Sequence, residues 1–129
     1  MTPYVGVLIE QSLADHASLR GIEVLCRQRD PHGAWVFLLV RVVGAQERET
    51  FAGLQASLRK DGNWYTHFFR GEELVVIYRD ATFTMSIDPT TWGAAVEHGR
   101  RLGIPEDQLD FVPHTPVQVE ARFGAGALG

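Results

Sequence analysis

The sequence contains little of what several protein classes require. Among its 129 residues there is one cysteine, Cys26, which excludes an intramolecular disulfide and favours a reducing compartment. No stretch approaches ~18 consecutive apolar residues, and no basic start precedes an apolar run of signal-peptide length. These absences predict a cytoplasmic protein with no part in the membrane.

Positive charge is also scarce. Twelve Lys and Arg stand against 16 Asp and Glu, the formal net charge is −4, and no basic block exceeds Arg100-Arg101. Nucleic-acid binding draws much of its affinity from clustered basic residues that release counterions. RNA bases could still stack on sheet aromatics, but the basic-Gly-aromatic run of an RNA-recognition motif is absent. The sequence therefore predicts no nucleic-acid partner.

The residues that bind metals or cofactors do not cluster. None of the five histidines lies within three to five residues of another histidine or of Cys26, whereas zinc sites use such local pairs. The glycines form neither a P-loop nor a dinucleotide-binding fingerprint, and no serine lies in a nucleophile motif. Neither a metal nor a cofactor is predicted.

The most apolar stretch is Trp35–Val43, which has one charge and no Gly or Pro. Its branched and aromatic residues favour a strand. A strand that faces water on one side alternates apolar with polar residues, but this stretch is apolar on both faces. Both faces are therefore predicted to be covered.

The remaining patterns predict a single α+β domain over residues 1–111. Gly6 is expected where a neighbour approaches closely, and the charges spread along Ile22–Asp30 are typical of a sheet edge. Asp88 and Pro89 favour the start of the last helix, and Gly103 its end. The predicted strands are Tyr4–Glu10, Ile22–Asp30, Trp35–Val43, Trp64–Arg70, Leu74–Asp80 and Ala81–Ile87, and the predicted helices are Leu13–Leu19, Ala45–Lys60 and Pro89–Leu102.

This order of elements predicts a ferredoxin-like (βαββαβ-type) antiparallel sheet with an added hairpin and a C-terminal helix. Both early helices then cover one face of the sheet. Either the last helix or a second copy of the chain must cover the other face, because large exposed apolar patches are rare on monomers. We expect a homodimer through the sheet, with an edge-to-edge dimer as the alternative. Leu109 and Phe111 are expected to fold back on the core, and residues 112–129 to form a flexible tail rich in Pro, Gly and Ala.

His67 is the most informative histidine. It alternates with Tyr65 and Phe69 on an aromatic strand face, where burial and a nearby carboxylate would shift its pKa in opposite directions. Glu10 and Asp80 are candidate carboxylate partners for a general base. The alternative is a structural histidine that is hydrogen-bonded within the sheet.

Aromatic residues near the strand ends indicate a small-ligand pocket, with Arg79 as an anchor for an anion. The alternative is that these aromatics are ordinary core. The candidate ligand-binding residues are Glu10, Trp64, Tyr65, His67, Tyr78 and Arg79.

Three blocks of the sequence resemble a family of small uncharacterised prokaryotic proteins, and the resemblance implies no activity. It covers most of residues 4–111, although this chain has Thr66-His67 where the family places an acidic residue after Trp-Tyr. The blocks are Tyr4–Glu10 with Ser12-Leu13, then Trp64-Tyr65 with Tyr78-Arg79-Asp80 and Phe83, and finally Leu102–Glu106 with Gln108, Leu109, Asp110 and Phe111.

These observations predict a small-ligand-binding or regulatory α+β module that acts as a homodimer. One alternative is a small enzyme in which His67 transfers a proton with Glu10 or Asp80. The other is a protein–protein interaction module that uses the sheet or the tail.

Overall fold

The computed structural model describes residues 3–14, 22–29, 31, 33, 35–42, 47–60, 64–105, 109 and 111. Within these residues, six antiparallel strands form one sheet on which two α-helices pack, which confirms the predicted α+β class and antiparallel sheet. Short 3₁₀ turns follow the first strand at Glu10–Ser12 and precede the last helix at Pro89–Thr91. The elements are β1 (Tyr4–Ile9), β2 (Ile22–Arg29), β3 (Val36–Val42), α1 (Glu47–Ser57), β4 (Tyr65–Arg70), β5 (Glu73–Tyr78), β6 (Thr82–Ser86) and α2 (Gly93–Arg101).

The strands are arranged in the order β2-β3-β1-β4-β5-β6. β2 is an edge strand, as predicted, and it pairs with β3 in an antiparallel hairpin, while β1 is interior. β5 and β6 extend the sheet beyond β4, so the strand order differs from that of a four-stranded ferredoxin-like sheet. The predicted helix Leu13–Leu19 does not begin at Leu13, which is extended and forms a β-bridge with Leu58. Residues 15–19 of that prediction and the tail 112–129 lie outside the described residues.

Helix α1 covers one face of the sheet, which we call the α1 face. Phe51, Leu54 and Leu58 pack against it, and Leu54 and Leu58 are buried. A Cβ added to Gly6 on this face would lie 2.5 Å from Phe68 Cδ1, which confirms the predicted close approach. The sheet residues of this core are Tyr4, Leu8, Ile22, Val36, Leu38, Val40, Val42, Phe68, Val75 and Ile77.

Helix α2 and the segment after it pack on the opposite face, which we call the α2 face. Of the two covers predicted for this second face, the helix is therefore present over β4–β6. Leu109 and Phe111 fold back on the core as predicted, with exposed fractions of 4% and 0%. The buried residues of this core are Phe69, Leu74, Val76, Tyr78, Trp92, Ala95, Ile104, Leu109 and Phe111.

The last helix begins later than predicted. Asp88 Oδ1 accepts a hydrogen bond from Thr90 N at 3.0 Å, but it caps the 3₁₀ turn, and α2 starts only at Gly93. The delay has a structural cause, because the Trp92 indole donates to the Ser86 carbonyl at 2.8 Å and ties the segment to the end of β6.

The predicted end of α2 is confirmed. Gly103 has φ of 85°, a left-handed conformation that favours glycine. Ile104 N–H donates to Gly99 O and Gly103 N–H donates to Arg100 O, both at 3.1 Å, which is the Schellman pattern.

Candidate functional site

Three of the predicted site residues meet on the α2 face. The ring centroids of Tyr65 and Tyr78 are 5.7 Å apart, and those of Tyr65 and His67 are 6.4 Å apart. Phe111 closes over this group, with ring contacts of 5.6 Å to Tyr65 and 6.2 Å to His67. These three residues therefore belong to the aromatic core beneath the C-terminal segment.

The other three predicted residues lie apart from this group. Trp64 packs against the core of the α1 face and makes an edge-to-face contact with Trp35 at 5.6 Å. Glu10 forms an ion pair with Arg27 at 2.6 Å, and Arg79 is exposed in the turn between β5 and β6. The structure does not bring the six residues into one pocket.

The proposed carboxylate partners of His67 are engaged with other residues. Glu10 binds Arg27, and Asp80 lies 2.7 Å from Nε2 of His98. Nε2 of His67 is buried, and its ring lies between Tyr65 and Phe69 along β4. Proton transfer by His67 stays a prediction.

The contact between Asp80 and His98 was not predicted, since Asp80 was considered as a partner of His67. The imidazole is only 22% exposed and lies 4.9 Å from the Tyr78 ring and 5.4 Å from the Phe83 ring. The hydrogen bond from His98 lowers the pKa of the Asp80 carboxyl. This contact joins the last turn of α2 to the β5–β6 turn.

A polar network lies at the border of the α1 face. The Tyr4 hydroxyl donates to Glu73 Oε2 at 2.6 Å. Arg70 donates to Glu47 at 2.9 Å and to Glu73 at 3.0 Å, and its guanidinium carbon lies 4.1 Å from the centroid of the Tyr4 ring. One guanidinium therefore joins two carboxylates that come from different elements.

The phenol of Tyr4 is a neutral donor in this network. Burial, reinforced by the hydrogen bond to Glu73 and its negative charge, raises the pKa of Tyr4 well above its ordinary value. The two carboxylates and the single guanidinium leave one negative charge that Arg70 does not balance.

This network forms one end of a cleft between α1 and the strands β5 and β6. The cleft has a volume of about 440 Å³, which is within the usual range for small-molecule sites. It exists because α1 lies over β5, while Thr82 and Thr84 of β6 are exposed on the same face. The lining residues are Tyr4, Glu47, Arg48, Phe51, Ala52, Gln55, Glu73, Val75, Thr82 and Thr84.

The two ends of the cleft differ in chemistry. Glu47 and Glu73 lie at one end, and Gln55 lies two helical turns further along α1, about 12 Å away at 1.5 Å per residue. There the Thr82 hydroxyl reaches Gln55 Oε1 at 3.4 Å. Between the ends, Phe51 and Val75 supply an apolar wall. The cleft is thus acidic at one end, apolar in the middle and neutral polar at the other.

Sequence reasoning did not find this cleft, because its lining comes from four separate elements. One local signal was present, in that Arg70 and Glu73 flank the two-residue Gly71-Glu72 turn and lie opposite each other in the β4–β5 hairpin. Gly71 has φ of 57°, as a tight turn requires. Such a cross-strand ion pair can be predicted, but the approach of Tyr4 and Glu47 to it cannot.

The described segments contain no group of three or more His, Cys, Asp or Glu side chains that could hold a metal ion. Among the helices of those segments, none has the length and apolar character to cross a membrane. No protein-family model, no curated protein and no solved structure matches the chain.

Proposed function

We propose that the chain is a small-ligand-binding module whose site is the cleft between α1 and β5–β6. The observation that carries this proposal is that one cleft of about 440 Å³ has an acidic end, an apolar middle and a neutral polar end. Sites for small molecules typically combine such an apolar wall with a few polar groups that fix orientation.

The cleft is lined by two carboxylates and by one guanidinium, that of Arg48, and the carboxylates favour a ligand with a cationic group. Glu47 and Glu73 are about a third exposed, so their outer oxygens can accept hydrogen bonds from a ligand while Arg70 holds the inner ones. An ammonium group fits this acidic end, and a flat apolar body fits against Phe51 and Val75. We therefore propose an amphipathic primary amine that carries a hydroxyl at its far end, where Gln55 and Thr82 lie.

The site can be tested with tyramine as the probe and para-ethylphenol as the neutral comparison that lacks the amine. Binding is followed by backbone amide shifts in NMR spectra of the full chain. We expect shifts at residues of α1, β5 and β6, with tyramine bound at least tenfold more tightly, a difference of about 1.4 kcal/mol. Glu73→Gln should remove most of this preference.

A matched pair of variants controls for indirect effects. Ala52 is exposed and lines the cleft, so Ala52→Trp should block binding of both compounds. Ala94 is equally exposed but lies on α2, and Ala94→Trp should leave binding unchanged. Tyramine binding that survives Ala52→Trp would show that the cleft is not the site.

The topology supports a further proposal, a ferredoxin-like unit within the larger sheet. The supporting observations are the order β2-β3-β1-β4 in the first four strands and the position of α1 between β3 and β4 in the chain. A helix between β1 and β2 would complete the unit, and backbone NMR shifts of residues 15–19 test for it. For location we propose the cytoplasm, with the single Cys26 as the supporting observation.

A further inference from the structure

The outer edge of β6 carries backbone groups that can pair with another strand. β6 is the last strand of the sheet, and within the described part of the chain it pairs only with β5. Tyr78 N–H donates to Ala81 O at 2.8 Å, and Ile87 N–H donates to Glu72 O at 2.9 Å. Because antiparallel strands direct alternate residues toward each neighbour, the backbone groups of Thr82, Thr84 and Ser86 point outward.

One of these three positions is already occupied. Ser86 N–H donates to Thr91 Oγ1 at 3.1 Å, and the Ser86 carbonyl accepts from Thr91 and from the Trp92 indole. No hydrogen bond from the described residues reaches the outward backbone groups of Thr82 and Thr84. The two N–H and two C=O groups of Thr82 and Thr84 can therefore form hydrogen bonds with another strand.

The two edges of the sheet are built differently. β2 has charged side chains at Glu23, Arg27 and Arg29, and a bulge between Val24 and Cys26 disturbs its register. Charges and bulges are the usual means by which an edge strand avoids pairing. β6 has the sequence Thr-Phe-Thr-Met-Ser, with no charge, no proline and regular pairing to β5 throughout its length. β6 lacks the features that block pairing at β2.

We propose that β6 pairs antiparallel with β6 of a second copy of this chain, about a two-fold axis at Phe83. This register places Thr82 of each copy opposite Thr84 of the other, so that the outward groups of the two chains form four hydrogen bonds. Phe83 lies opposite its own counterpart in the closely spaced, non-hydrogen-bonded position, where aromatic pairs are favourable. The segment is thus complementary to itself.

The flanking residues fit the same register. Ala81 lies opposite Met85, and the pairing ends there, because Thr91 and Trp92 occupy the outward groups of Ser86. No like charges meet along the paired segment. This association does not depend on the ligand proposed for the cleft.

Sedimentation equilibrium of the full chain without ligand tests the proposal. Wild type should approach twice the 14.4 kDa chain mass as its concentration rises. Thr84→Pro removes an outward N–H that β5 does not use, so the monomer fold should survive. We expect it to raise the dimer dissociation constant at least tenfold, and Thr82→Lys/Thr84→Lys should do the same.

The matched control is Val24→Lys, which adds a lysine at an exposed position on the other edge strand and should leave the dimer constant unchanged. Circular dichroism confirms that each variant is folded. A wild type that is monomeric at every concentration would overturn the proposal. So would a dimer that survives both changes in β6.

Cross-linking tests the register in a Cys26→Ser background. Paired Cα atoms in a hydrogen-bonded position lie about 5.5 Å apart, within disulfide range. A mixture of Thr82→Cys and Thr84→Cys chains should therefore form a mixed disulfide on oxidation, while each chain alone should not. A cross-link in either chain alone, or none in the mixture, would refute the axis at Phe83.

Discussion

The close packing of β1 against β4 can be tested by adding a single methyl group to Gly6. A Cβ at this position would lie 2.5 Å and 2.8 Å from two ring carbons of Phe68 and 2.6 Å from the carbonyl oxygen of His67. The ring is fully buried and is in contact with Phe51 of α1, so it has little room to turn away. The carbonyl belongs to the backbone of β4, which pairs with β1 at this point.

The expected cost is that of overpacking, about 1–3 kcal/mol when a methylene is forced into a well-packed core. The backbone contact places Gly6→Ala toward the upper end of that range, because β1 and β4 must separate to relieve it. Alanine offsets part of the cost, since glycine in a strand is less favourable by roughly 0.5–1 kcal/mol. We expect Gly6→Ala to lower the free energy of unfolding by about 2 kcal/mol.

Gly53 provides the matched control. It lies in α1, and a Cβ there would meet no atom within 4 Å. Gly53→Ala should therefore stabilise the protein by about 0.8 kcal/mol, the helix preference for alanine. Urea unfolding followed by circular dichroism and tryptophan fluorescence gives both values. The reasoning about Gly6 is refuted if its alanine variant is at least as stable as wild type while Gly53→Ala shows the expected gain.

Three further predictions concern hydrogen bonds and titration. Tyr78→Phe removes a buried hydrogen bond to the Ala95 carbonyl, 2.7 Å long, and should cost about 1 kcal/mol in urea unfolding, with α2 showing the largest loss of amide protection in hydrogen exchange. Burial raises the pKa of Tyr4 above its ordinary value of 10.0, so the stability that the neutral phenol contributes is complete below pH 10.0 and is lost as the pH rises further. Unfolding midpoints measured across alkaline pH should therefore fall less steeply for Tyr4→Phe than for wild type. Asp88→Ala removes the cap on Thr90 N and should cost about 1 kcal/mol, which thermal unfolding would detect and which Asp88→Asn should largely restore.

Most of the described strands were predictable because they are runs of branched and aromatic residues between turn signals, whereas β2 was recognised by the charges along it. β3 illustrates this, since its apolar pattern on both faces predicted two covers: α1 packs on one face, and Leu39 on the other face is fully buried, whereas α2 lies over β4–β6. The end of α2 was equally local, because Gly103 and Pro105 stop the helix through their own backbone preferences.

What escaped prediction depends on contacts between distant elements. Trp92 binds the Ser86 carbonyl and delays α2, and the sequence of the helix alone contains no sign of that bond. His98 is half-buried because the β5–β6 turn brings Asp80 to it. The cleft likewise requires the positions of α1 and β6 relative to β5. Local patterns determine elements, whereas these sites arise where elements meet.

The position of β1 has a consequence for how the chain folds. The pairs β2–β3, β4–β5 and β5–β6 each join two strands that follow one another in the sequence, so these pairs can form locally. Among the described strands, only β1 joins the β2–β3 hairpin to the β4–β6 strands, and to do so it must pair with β3 and with β4, which is about sixty residues away. Such distant pairings are slow to form. The pairing of β1 with β3 and β4 should therefore limit the folding rate, because it joins the β2–β3 hairpin and the β4–β6 strands into a single sheet.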